Sequence, residues 1–157
     1  KSNLNIALKK LLPSLGLNPS ETIYQESQLR VWNGHSPLHG DGIIVIGDAA
    51  SLCDPFLAEG LRPALMSGYE AANNLHLWLR NDIQDLADYS LSIKKQWGDS
   101  MAWAKRISHV FYRFPKSGYN LGIKRPTAPK RIAQILSGTM GYNDIAKRTI
   151  KRLLLKS

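Results

Sequence analysis

Four β-branched residues in succession, Ile43-Ile44-Val45-Ile46, sit between Gly42 and Gly47. A run without a polar position has no solvent face, which is how a strand covered on both sides in a parallel sheet reads. Behind it, Leu61, Ala64, Leu65, Gly68, Ala71, Ala72, Leu75 and Leu79 recur at three- and four-residue steps within Glu59 to Leu79. That spacing predicts a helix with one apolar stripe. The small residues in its middle let it approach a sheet closely. Strand, turn and helix in this order constrain everything else the chain can build.

Around this unit the other elements read less sharply. Leu4, Ala7, Leu8, Leu11 and Leu12 predict a first helix, ended by Pro13 and Gly16. Thr22 to Trp32, rich in Ile, Tyr, Val and Trp, reads as a strand, and the glycines and proline of Asn33 to Gly42 as a loop. A second long helix is expected to open at Asp85 as N-cap and to run to Phe114, with Gly98 as a breaking point. Its aromatic residues Trp97, Trp103, Phe111 and Phe114 read as core or domain interface. Pro115 to Pro129 reads as a loop. Two short helices follow, Lys130 to Ser137 with Gly138 closing it, and Asp144 to Lys156 behind Asn143.

Composition removes several classes. Of 157 residues, 43% are hydrophobic and 21% charged, values of a folded domain rather than a disordered chain. The apolar runs are too short for a transmembrane helix, and Lys1 to Asn5 holds no signal-peptide core. The chain opens without Met, as an excised piece of a longer protein would. Cys53 is the single cysteine, so no internal disulfide and no cysteine-based metal cluster can form; a reducing, cytoplasmic setting is the default. His35, His39, His76 and His109 lack metal-ligand spacing. Beside an acid, the thiol of Cys53 is expected to be a small buried hydrophobe rather than a nucleophile.

The net charge of +9 is uneven. Residues 1–100 hold eight Lys or Arg against eleven acids, whereas residues 101–157 hold thirteen against Asp144 alone. Asp144 to Lys156 places Ile145, Ala146, Ile150, Leu153 and Leu154 opposite Lys147, Arg148, Lys151 and Arg152. Such a helix either packs with a solvated basic face or rests on an anionic membrane surface. No recognition module accompanies the charge, so nucleic acid is not an expected partner.

The chemistry concentrates in Gly47 to Leu61. In open α/β sheets ligands collect beyond the carboxyl ends of the strands, which is where Asp48 falls, an acceptor for ligand hydroxyls. Gly47 allows close approach. Ala58 cannot cap the helix behind it, so the amides of Gly60, Leu61 and Arg62 lack an obvious partner, and Pro63 has no N–H. A helix start of that kind suits an electron-rich ligand atom.

The run Gly47-Asp48-Ala49-Ala50, then Asp54-Pro55, Glu59-Gly60-Leu61, Ala64-Leu65, Ser67-Gly68 and Ala71-Ala72, resembles the second flavin motif of the geranylgeranyl reductase family. That family belongs to the wider group with the para-hydroxybenzoate hydroxylase type of FAD fold. The resemblance is strongest over Asp41 to Leu75. It implies that Gly47, Asp48, Pro55, Glu59, Gly60 and Leu61 bind FAD, with Asp48 on the ribityl chain and the backbone at Glu59 to Leu61 facing the pyrimidine edge of the ring. Phe56-Leu57-Ala58 depart from the family, which has a small residue and Gly there. No Gly-x-Gly-x-x-Gly follows a strand anywhere in the chain, so the part that clamps the FAD pyrophosphate is absent from it.

The expectation is therefore an α+β, mostly helical chain, the C-terminal fragment of a two-domain, Rossmann-like FAD-binding oxidoreductase. Residues 1–40 would end the substrate-binding domain, 41–80 complete the FAD-binding domain and 81–157 form a C-terminal helical region. The resemblance implies reduction of carbon–carbon double bonds in an isoprenoid or other lipid, with NAD(P)H or another reductant as electron donor. The catalytic residues and oligomeric state are not named by it, and the fragment alone is expected to be inactive. Two alternatives stand beside this: a relative of the quinone-linked electron-transfer flavoproteins, whose usual iron–sulfur part the lone Cys53 excludes, and a non-catalytic basic helical module that docks on membrane or protein.

Overall fold

A computed structural model describes residues 2–23, 25, 27–34 and 36–154. About 61% of the chain is helical and, among the described residues, two short strands are present, so the molecule is α+β and mostly helical. The elements in order are α1 (Ser2–Leu11), β1 (His39–Gly40), β2 (Ile43–Ile44), α2 (Leu61–Leu79), α3 (Ala87–Arg113), α4 (Pro115–Gly118), α5 (Ala128–Leu136) and α6 (Tyr142–Leu154). After α1, Pro13 enters a 3-10 turn, Leu12–Leu15, that stops at Gly16 with φ +73°.

β1 and β2 pair antiparallel, His39 opposite Ile44 and Gly40 opposite Ile43. The strand at Ile43 to Ile46 is thus shorter than its pattern and is not covered on both faces: Ile43 is 62% and Ile46 43% exposed. Thr22 to Trp32 is not a strand among the described residues. Its one ladder contact is a parallel bridge from Val31 to Cys53, with the Trp32 amide donating to the Cys53 carbonyl over 2.8 Å. A strand needs a neighbour along its length, and this segment has one only at its end. Tyr24 and Glu26 lie outside the described residues.

α3, 27 residues and about 40 Å long, joins two apolar clusters. The first gathers Trp32, Ala50, Leu52, Ala71, Tyr89, Ile93, Trp97 and Met101 beneath β2 and α2. The second gathers Ala104, Ile135, Met140 and Tyr142, with Phe56, Leu57 and Ile107 against it. Gly98 does not break α3; it is buried within it. Of the four aromatic residues expected inside, Trp97 is buried and Trp103 packs on the second cluster, while Phe114 is exposed.

α2 is turned from its expected orientation. Its buried side is Pro63, Ser67, Ala71 and Asn74, whereas Leu61, Leu65 and Leu79 of the apolar stripe face outward. Polar contacts hold it so: Glu70 accepts from Ser92 Oγ at 3.2 Å and Gln96 Nε2 at 2.8 Å on α3. The segment after α3 is not an open loop but α4 followed by a π-turn, Tyr119–Ile123. Proline fits a first helical turn, where its missing N–H costs nothing. Gly118 admits the Phe111 ring, which would lie 2.6 Å from any Cβ there.

α5 and α6 each begin two residues before the expected positions. Asp144 rather than Asn143 closes the start of α6, accepting the Gly141 amide at 3.0 Å, while Ser100 on α3 takes the Tyr142 amide at 3.0 Å. Ile145 packs on the second cluster and Ala146 is buried, so this side of α6 faces the protein; Lys147, Arg148 and Lys151 are exposed. The side chains of Ile150, Arg152, Leu153 and Leu154, and residues 155–157, lie outside the description. Among the described residues no helix is long and apolar enough to cross a membrane.

Candidate site at the start of α2

The turn after β2 is built on a close approach. Gly47 takes φ +55°, and a Cβ on it would stand 3.1 Å from Cβ of Ala64 on α2. Its amide donates to Ser67 Oγ at 3.0 Å, and that hydroxyl donates onward to the Ala64 carbonyl at 3.1 Å. From α3, the Tyr89 hydroxyl donates to the Val45 carbonyl at 2.8 Å. Burial pushes the Tyr89 phenol up to about 12, with a contact to Ser67 opposing and Glu70 adding to the rise. It remains a neutral donor. Ser67 and Tyr89 are thus the residues that seat the turn, and no motif marks them. The signal was Ser67 as the one hydroxyl among the small residues of α2.

Gly47–Ala50 then makes a single 3-10 turn, closed by Ser51 at φ +55°. This geometry delivers the exposed Asp48 carboxylate to the start of α2: a Cβ on Gly60 would lie 2.9 Å from Asp48 Oδ1. Gly60 is the N-cap residue and α2 begins at Leu61. The amide of Arg62 is not free, since Glu59 Oε1 accepts from it at 2.7 Å. The side chain one residue beyond Ala58 does the capping. Among the described residues nothing accepts from the amides of Gly60 and Leu61. Gly47, Asp48, Glu59, Gly60 and Leu61 therefore come together at one helix start, while Pro55 lies in the wall of a neighbouring groove.

The connecting loop hangs on Asp54, which is 4% exposed. Its Oδ1 accepts the amides of Phe56 and Leu57 at 2.7 and 2.9 Å, and its Oδ2 accepts the Tyr142 hydroxyl at 2.6 Å. Backbone bonds from Asp54 to the Glu59 carbonyl, 2.8 Å, and from Ala58 to the Asp54 carbonyl, 3.0 Å, close the loop, with Ala58 held at φ +54°. Burial, then the hydrogen bond and charge of Asp54, raise the Tyr142 phenol far above its ordinary range. Phe56 meets the rings of Phe111 and Tyr142 edge-on at 5.2 and 5.9 Å. The bulky Phe56-Leu57 pair is accommodated by α3 and α6.

Cys53 is fully buried, and burial followed by the charges of Asp48, Asp54 and Glu59 pushes its thiol up. It is a packed thiol, not a thiolate. His39 shares a 2.7 Å hydrogen bond between Nδ1 and Ser90 Oγ, which in turn accepts the Leu38 amide. His35 lies outside the described residues. Among the described residues no three His, Cys, Asp or Glu side chains are grouped to hold a metal.

At the start of α2 the chain thus presents a carboxylate acceptor beside two amide donors at the positive end of a helix. Such a set can accept hydrogen bonds from hydroxyls and donate them to electron-rich ring or carbonyl atoms. Neither a protein-family model, a curated protein nor a solved structure matches this chain.

Proposed function

We propose that this chain is the C-terminal portion of an FAD-dependent oxidoreductase similar to the geranylgeranyl reductases. The observation that carries the reading is Asp48 lying against Gly60 at the uncapped amides of α2. The donor set fits the group: Asp48 accepts from ribityl hydroxyls, and the amides of Gly60 and Leu61 face the pyrimidine edge, where negative charge develops on reduction. When bound, FAD supplies hydride transfer to a carbon–carbon double bond of an isoprenoid or other lipid. The outward side chains Ile43, Ile46, Leu61 and Leu65 form the face that the rest of a Rossmann-like FAD-binding domain covers, with residues 1–40 closing the substrate-binding domain.

The visible absorption spectrum of the longer protein that contains this chain tests the reading. Flavin bands are expected in that protein, and the 157-residue chain is expected to be purified colourless, since it lacks a pyrophosphate-binding glycine loop. A colourless longer protein returns the chain to a non-catalytic docking module.

A peripheral membrane contact belongs to the same reading, because a lipid substrate is drawn from a bilayer. The exposed row Lys147, Arg148 and Lys151 on α6 supports it. Each cation near an anionic surface contributes about 1 kcal/mol, fading within a Debye length. Reversing the three to Glu is expected to abolish co-sedimentation with anionic vesicles at low salt, and unchanged sedimentation contradicts the contact.

A further inference from the structure

A wide groove of roughly 1300 Å³ runs between residues 29–34 and the C-terminal half of α3, beside Ser51 and Pro55. Lys105, His109 and Arg113 stand at four-residue steps along one side of α3, Arg106 lies next to them, and Arg30 occupies the opposite wall. No Asp or Glu is among the residues that line it. Among the described residues the one ion pair joins Arg80 and Asp82, so no carboxylate neutralises these cations. The fixed charges of Lys105, Arg106 and Arg113 lie within about two turns of α3 and repel one another. A concave surface with apolar walls also concentrates their field. The fold nevertheless fixes the charges in place. Lys105 Nζ donates to the side-chain oxygen of Asn33, tying the two walls together, and the Arg106 guanidinium lies 4.8 Å over the Trp103 ring.

We propose that this groove binds a phosphoryl group carrying at least two negative charges, a diphosphate or the phosphate head of an amphiphile. Arginine forks match phosphate oxygens in pairs, while Lys105 adds a point charge. The exposed side chains Val110 and Tyr112 at the same groove offer an apolar lip to a ligand with a hydrocarbon part. The inference stands on the groove alone and does not require flavin binding at α2.

Calorimetric titration of the 157-residue chain with pyrophosphate, at low salt, tests it. Saturable binding is expected, weakening steeply as salt screens the charges. Arg30→Gln with Arg113→Gln should raise the Kd about ten-fold or more, whereas Lys130→Gln with Arg131→Gln, equal in charge change but on α5, should leave it within about two-fold. Unfolding midpoints of both pairs report whether the fold is kept. A phosphate monoester with a short alkyl chain, compared with pyrophosphate, separates the sources: tighter binding of the monoester marks a lipid head group, tighter binding of pyrophosphate a soluble ligand. Absence of saturable binding, or equal loss in the two variant pairs, overturns the proposal.

Discussion

Gly47 carries two demands that no other residue meets together. Its φ of +55° lies where L side chains are strained, and Ala64 stands where a Cβ would go. Gly47→Ala is therefore expected to lower stability by about 1–3 kcal/mol, read as a shift of the urea midpoint at unchanged slope. A shift below about 0.5 kcal/mol, the range of ordinary surface changes, would mean that the approach of turn and helix relaxes freely. The close approach at Gly47 was legible in the sequence, because a glycine at the end of an all-apolar run lets another backbone come near. The partners that seat it were not. Ser67 and Tyr89 act across 20 and 44 residues of chain, and nothing local marks a side chain that bonds to a distant backbone.

At the scale of elements, α2 and α3 were legible as helices because long periodic runs state their own period. Which face of α2 turns inward was not. Of the predicted stripe Ala71 is buried but Leu61, Leu65 and Leu79 face outward, and Pro63, Ser67 and Asn74 complete the buried side. Close backbone approach and the Glu70 contacts to Ser92 and Gln96 decide the rotation, and a pattern of apolarity contains neither. Thr22 to Trp32 failed as a strand for a related reason: β-propensity describes fit to a sheet, and the neighbouring strand has to be present. The loop from Asp54 to Glu59 depends on α6 through a single hydroxyl. Tyr142→Phe removes the donor to Asp54 Oδ2, leaving a buried carboxylate short of a partner, and is expected to cost about 1–3 kcal/mol. Tyr112→Phe removes a bond of similar length, 2.9 Å to the Phe56 carbonyl, but at an exposed position, and is expected to cost under about 1 kcal/mol. Equal midpoints for the two variants in urea unfolding would show that α6 does not brace the loop.

For the whole molecule, two surfaces have no partner among the described residues. One is apolar, with Ile43, Leu61 and Leu65 each more than 60% exposed; the other is the basic groove beside α3. Under the proposed reading the first surface, where strand and helix meet at Gly47, would be the edge on which the rest of an FAD-binding domain packs. The proposed carboxylate–amide pair at the start of α2 then has a measurable strength. If the chain is part of a longer flavoprotein as proposed, Asp48→Ala there would remove an acceptor from a ribityl hydroxyl, a loss of about 1.5–3 kcal/mol for a charged hydrogen bond. Titration of the apoprotein with FAD, followed by flavin fluorescence, measures it. The dissociation constant is predicted to rise roughly ten- to one-hundred-fold with the unfolding midpoint of the apoprotein unchanged. An unchanged dissociation constant and full flavin content in the purified Asp48→Ala protein would contradict the assignment of this turn to FAD.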